Sequence, residues 1–216
     1  MKTVLSIGLR FIFVATTLFI GQSVFSQTSS SHEIVHKYID GKLDMMSTQV
    51  GDVEIIFRRD RVEINGLSAT GQEPAYLYFK NVERRDPRGL VLVGEGVETI
   101  SNPGMASVIG TDRVPVKKYR SIMYDNIIGD TDLVVTIDNN EINFSLENEG
   151  EQAEMIEVAF SQEQQSSLRG GVPTMSKFGR TFSLISQNSD ITSESRDRFS
   201  IRGSSDRSYR FTLSID

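Results

Sequence analysis

Apolar residues recur at every second position through most of the chain. Val53, Ile55 and Phe57 alternate with Asp52, Glu54 and Arg58, and Val62 and Ile64 alternate with Arg61, Glu63 and Asn65. Leu77 and Phe79 fall on one face of a further segment, with Tyr76 and Tyr78 on the other. A period of two is the mark of a strand with one covered face. The clearest unit is Asp132 to Glu147. Leu133, Val135 and Ile137 share one side; after Asn139-Asn140, Ile142, Phe144 and Leu146 do the same. Asn tolerates positive φ better than other non-glycine residues, so Asn139-Asn140 suits a two-residue hairpin turn. Leu90–Val93 is a continuous apolar run and predicts a strand covered on both sides. More strands are expected at Met155–Phe160, Thr181–Ile185, Arg198–Ile201 and Ser208–Ile215. Glu33 to Asp40 reads as a short helical turn, and Ser161–Gly171 and Ser186–Asp197 read as long polar loops. Beyond the first 26 residues no window of 12 or more carries a helical period. About ten short strands predict an all-β fold, an antiparallel β-sandwich or open barrel, in one domain over residues 33–216.

The N-terminus has a different pattern. Lys2 and Arg10 precede the apolar stretch Phe11 to Ile20, and Val24-Phe25-Ser26 then places small or modest residues before Gln27. This order predicts a secretory signal peptide over residues 1–26 and a polar leader over 27–32. As a retained anchor, Val4 to Ile20 is short for a span of about 20 residues and is interrupted by Arg10, so no stable membrane span is expected after cleavage. The protein is accordingly expected to be periplasmic, cell-surface or extracellular.

Composition narrows the chemistry. The chain of 216 residues has no Cys, which excludes disulfides, a thiolate zinc site and a cysteine nucleophile. Its net charge is −6, and loss of Lys2 and Arg10 with the leader takes it to −8. An acidic chain of this kind argues against nucleic acid as a partner.

His32-Glu33-Ile34-Val35-His36 matches HExxH. On a helix this spacing would aim two imidazoles at one zinc ion with Glu33 beside the bound water, as in a zinc metallopeptidase. The chain has no third His, and the nearest alternative ligand, Glu54, lies in a strand pattern. The motif also follows the expected cleavage point by about six residues, where a chain is loosely held. We therefore expect no metal, no cofactor and no catalytic residues, with His32, Glu33 and His36 as the alternative reading only. Asp125, Asp130, Asp132 and Asp138 lack the ligand alternation of a calcium loop and read as strand-end and turn acids. Gly94-Glu95-Gly96 lacks the third glycine of a phosphate loop, and Arg58-Arg59 and Arg84-Arg85 read as solvated turns.

Aromatic residues on both faces of a strand are the remaining signal. Tyr76 and Tyr78 oppose Leu77 and Phe79, and Tyr119 and Met123 oppose Ile122 and Tyr124. One of these sets should face water unless another layer or a partner covers it. Tyr76, Tyr78 and Tyr119 are therefore the candidates for contact with an envelope or extracellular protein, or with a glycan.

Val114-Pro115, Tyr119, Ile122, Tyr124, Asn126 and Asp132-Leu133 form a motif. It resembles one in the β-rich N-terminal domain of large secreted bacterial proteins that carry SBBP-type β-propeller repeats. In that family Val-Pro precedes a Tyr, with a second Tyr five residues on, Asn two further, and then Tyr-Pro-Gly-Ile-Asp-Leu. The Tyr119–Tyr124–Asn126–Asp132–Leu133 spacing is kept, whereas Ile128, Gly129, Asp130 and Thr131 depart from Tyr-Pro-Gly-Ile. Val114-Pro115 also lies two residues further from Tyr119 than in the family. The segments Glu141–Leu146, Glu151–Phe160 and Arg198–Asp216 follow the family's rhythm. The resemblance covers roughly Val53–Asp216 and implies an exported, non-enzymatic β module with no site residues to carry over.

Overall fold

The computed structural model describes residues 32–39, 42–67, 71–100, 112–149, 153–161, 165–169, 171–203 and 208–216. The expected signal peptide and most of the leader lie outside them. The described residues form sixteen strands and no helix. In chain order these are β1 (Ile34–Ile39), β2 (Lys42–Val50), β3 (Val53–Phe57), β4 (Arg61–Gly66), β5 (Ala75–Phe79), β6 (Arg88–Ile100), β7 (Asp112–Ile128) and β8 (Thr131–Asp138). They continue with β9 (Glu141–Glu147), β10 (Ile156–Phe160), β11 (Gln165–Arg169), β12 (Val172–Lys177), β13 (Arg180–Gln187), β14 (Ser189–Ser193), β15 (Arg198–Gly203) and β16 (Ser208–Ile215). All join one antiparallel sheet that curls into a half-barrel, as the alternation predicts.

The long strand β7 organises this sheet. β6 pairs with it from residue 112 to 123. β1 pairs with Val116 to Tyr119, and β8 with Ser121 to Tyr124 and Ile128. Because these residues already have β6 on one edge, β1 and β8 must follow one another along the other. Two runs of strands leave β7 from there: β1-β2-β3-β4-β5-β10-β15-β14, and β8-β9-β16-β13-β12-β11.

The two runs face each other across a shared core. Phe79 of β5 meets Tyr124 of β7 and Phe144 of β9 edge-on, with centroids 6.2 and 5.9 Å apart. Phe144 stacks on Phe211 of β16 at 4.7 Å. Tyr209 ties the runs together. Its hydroxyl donates to the Glu154 carbonyl and accepts from the Ile156 amide at the start of β10. Burial pushes its pKa up, so it stays a donor.

The β8–β9 hairpin matches its pattern. Leu133, Val135, Ile137, Ile142, Phe144 and Leu146 are buried, Asp138 pairs with Glu141, and Asn139 takes φ 51° between them. Four expectations need correction. Glu33 to Asp40 is not a helical turn: residues 34–39 form β1, because β2 and β7 flank them and satisfy their backbone. The two expected loops contain β11 and β14, short polar strands paired with β12 and β15. Leu90–Val93 is not covered; these residues are 40–52% exposed on β6, which among the described residues pairs only with β7. Finally, Tyr119 does not oppose Ile122 and Tyr124. The β6–β7 register shifts between Leu92–Tyr119 and Val91–Ser121, and the extra residue Arg120 lets Tyr119 pack against the same core.

Candidate functional site

The alternation in β5 turns Ala75, Leu77 and Phe79 into the core and leaves Tyr76 and Tyr78 half-buried on the outer face. Their rings lie side by side, centroids 5.4 Å apart and tilted by 31°. The next residue on that face, Lys80, holds its ammonium 4.4 Å above the Tyr78 ring, and the Arg61 guanidinium lies 5.6 Å from the Tyr76 ring. Both are cation–π contacts. Burial, and then the Glu63 carboxylate, raise the pKa of the Tyr76 hydroxyl, which keeps it protonated.

A groove of about 730 Å³ runs beside this pair, between β5 and the loop before β15. Glu73, Lys80, Ser161, Ser195, Asp197 and Arg198 supply its polar lining. Two backbone bonds fix the wall: Ser161 N–H donates to the Tyr76 carbonyl, and Phe160 N–H donates to the Asp197 carbonyl. The Ser195 hydroxyl donates to the Asp197 carboxylate at 2.9 Å. Lys80 could be read from the sequence as the next alternate residue after Tyr76 and Tyr78. Arg198 and Asp197 could not, because the β10–β15 pairing that delivers them spans some forty residues of chain.

Tyr119, the third aromatic candidate, stands elsewhere. Its ring occupies the space above Gly89 on β6, where a Cβ would fall 2.0 Å from it, and its centroid is 6.1 Å from that of His36. The other motif residues are equally structural. Tyr124 is fully buried and donates its hydroxyl to the Arg58 carbonyl at 2.9 Å. Asn126 takes φ 48°, and its amide donates to the Asp132 carboxylate at 2.7 Å. Leu133 lies in the core. The motif thus builds the place where β7 passes from β1 to β8.

The HExxH residues lie on or before β1. Residues i and i+4 of a strand are about 13 Å apart, so His32 and His36 lack the one-turn spacing of a helix. Glu33 pairs with Lys118 at 2.8 Å. Burial, and then the Lys117 ammonium, lower the pKa of His36. Among the described residues no three acids gather to hold a metal ion: Asp125 pairs with Arg88, Asp130 lies in the β7–β8 turn, Asp132 caps Asn126, and Asp138 closes the hairpin.

Arg58-Arg59 and Arg84-Arg85, read separately from the sequence, fall in one region. Arg59 makes a bidentate pair with Asp86 at 2.6 and 2.7 Å, and Arg84 and Arg61 both reach Asp60. They border a second groove of about 400 Å³. Its arginines are matched by neighbouring carboxylates, as expected of ion pairs pinning a loop.

Comparison with known proteins gives no match: no family model fits the chain, and no curated protein or solved structure is similar to it.

Proposed function

We propose that this protein is an exported, envelope-associated or extracellular, non-catalytic β module that works through contacts with a protein or a glycan. The observation that carries this reading is the Tyr76–Tyr78 pair, held side by side on the outer face of β5 beside the larger groove. An outward tyrosine offers apolar area and a hydroxyl at low entropic cost, which suits recognition. The likeness to secreted proteins with SBBP-type repeats supports the same reading, as does the leader pattern of residues 1–26. No helix of the described residues is long and apolar enough to cross a membrane.

A photo-cross-linking side chain at position 78 of the protein in its native envelope tests the proposal, with position 130, on the β7–β8 turn, as control. A product specific to position 78 and lost with Tyr76→Ala is expected. Identical products from both positions, or none, sink it.

A further inference from the structure

The geometry points to an acidic saccharide, a chain of hexose units bearing carboxylates, as the occupant of the groove beside β5. This inference rests on the reading of that face as a contact surface, and it adds the ligand class.

The faces of the two tyrosine rings are already engaged. Lys80 lies over Tyr78, Arg61 lies over Tyr76, and the rings lie against each other. A neutral sugar would have to displace a cation to stack on a ring. A carboxylate instead meets the cations where the rings hold them. Lys80 and Arg198 are both exposed, and among the described residues neither has a carboxylate within ion-pair distance. Both line this groove, whereas Arg58, Arg59, Arg61 and Arg84, at the second groove, all reach an acid.

The rest of the lining favours a hydroxyl-rich ligand over an acidic peptide. Glu73 and Asp197 offer carboxylate acceptors, which sugar hydroxyls can satisfy as donors. The hydroxyls of Tyr76, Tyr78, Ser161 and Ser195 can donate or accept. An acidic peptide such as polyglutamate brings carboxylates to Lys80 and Arg198 but no hydroxyls to meet Glu73 and Asp197. A volume of about 730 Å³ falls within the usual range of small-ligand sites.

The test is calorimetric titration of the purified protein with three probes: trigalacturonate, its fully methyl-esterified form, and a hexaglutamate peptide. Trigalacturonate should bind, and its methyl ester, which has the same rings without the charge, should bind at least about tenfold more weakly. Lys80→Gln and Arg198→Gln should each weaken binding by at least about tenfold, the scale of one lost charge-assisted hydrogen bond. Both residues are exposed, so unchanged thermal unfolding will show that the variants fold. The inference is overturned if trigalacturonate does not bind, if its ester or hexaglutamate binds as well, or if neither substitution matters. A specific cross-linked protein at position 78 with no trigalacturonate binding would overturn this ligand class and leave the contact surface standing. Failure of both experiments removes both.

Discussion

The tyrosines at the bend of β7 and those on β5 occupy the same kind of position in the sequence and opposite positions in the molecule. Tyr124 is wholly enclosed, with its hydroxyl on the Arg58 carbonyl and its ring against Phe79. Tyr119 lies over Gly89, where no other residue type leaves room. Tyr76 and Tyr78 instead stand outside, over the same β5 backbone that sends Phe79 inward. Enclosure of the hydroxyl separates Tyr124 from the pair on β5. A buried tyrosine needs a fixed acceptor, whereas an outer one keeps its hydroxyl for something else. Substitution of the enclosed Tyr124 should therefore act on the fold, and substitution of the outer pair on the proposed contact surface.

The largest expected effect is at Tyr124. Tyr124→Ala should cost about 3–5 kcal/mol, as for other large buried aromatics. Tyr124→Phe keeps the ring, deprives the Arg58 carbonyl of its donor, and should cost about 1–3 kcal/mol. Denaturant unfolding gives both values. A cost for Tyr124→Ala no greater than that of an outer tyrosine would erase the contrast.

Next comes Gly89. A Cβ there would sit 2.0 Å from the Tyr119 ring, so Gly89→Ala should cost about 1–3 kcal/mol through overpacking. In a Tyr119→Ala background the same change should cost almost nothing. A double-mutant cycle measures that coupling, and additive costs would show that Tyr119 does not hold Gly89 to glycine. Gly203, whose Cβ would fall 2.7 Å from the Tyr209 ring, repeats the device near the other end of the chain.

Smaller still are the effects on stability at β5. Tyr76→Ala and Tyr78→Ala should each lower stability by less than about 1 kcal/mol, because each gives up a half-exposed ring rather than a core contact. Their loss should show in cross-linking and in titration instead. A collapse in stability equal to that of Tyr124→Ala would make these rings part of the core and remove them from recognition.

The two regions were not equally legible in the sequence. The β8–β9 hairpin could be read because both strands alternate and Asn139 supplies the turn locally. The pair on β5 could be read for the same reason. What escaped depends on distant partners. β1 looks like a helical turn until β2 and β7 flank it, and β11 and β14 look like loops because short polar strands take their hydrogen bonds from neighbours. Leu90–Val93 has the composition of a buried strand yet lies on an edge with bulges, and no periodicity distinguishes the two. One inserted residue, Arg120, reversed the expected side of Tyr119. Of the cations of the candidate groove, Lys80 follows from the alternation, whereas Arg198 does not, because it arrives through a pairing between β10 and β15.

The smallest expected effect is a pH dependence at the bend. His36 is buried on β1, 6.1 Å from the Tyr119 ring, and burial followed by the Lys117 ammonium lowers its pKa from 6.5. The unfolded chain takes up the imidazole proton with its ordinary affinity; the folded chain takes it up less readily. Protons therefore favour unfolding. The stability tied to neutral His36 is complete above about pH 6.5 and is lost as the pH falls through that value toward the lower folded pKa. Denaturant midpoints for the protein should fall between pH 7.5 and 5.5, before most carboxylates titrate. His36→Gln should flatten the curve over that window while leaving trigalacturonate binding at β5 unchanged. Parallel curves for the two proteins would show that His36 carries none of the dependence. A loss of binding in the variant would show that the bend and the groove are coupled rather than separate, which is the sharper of the two results.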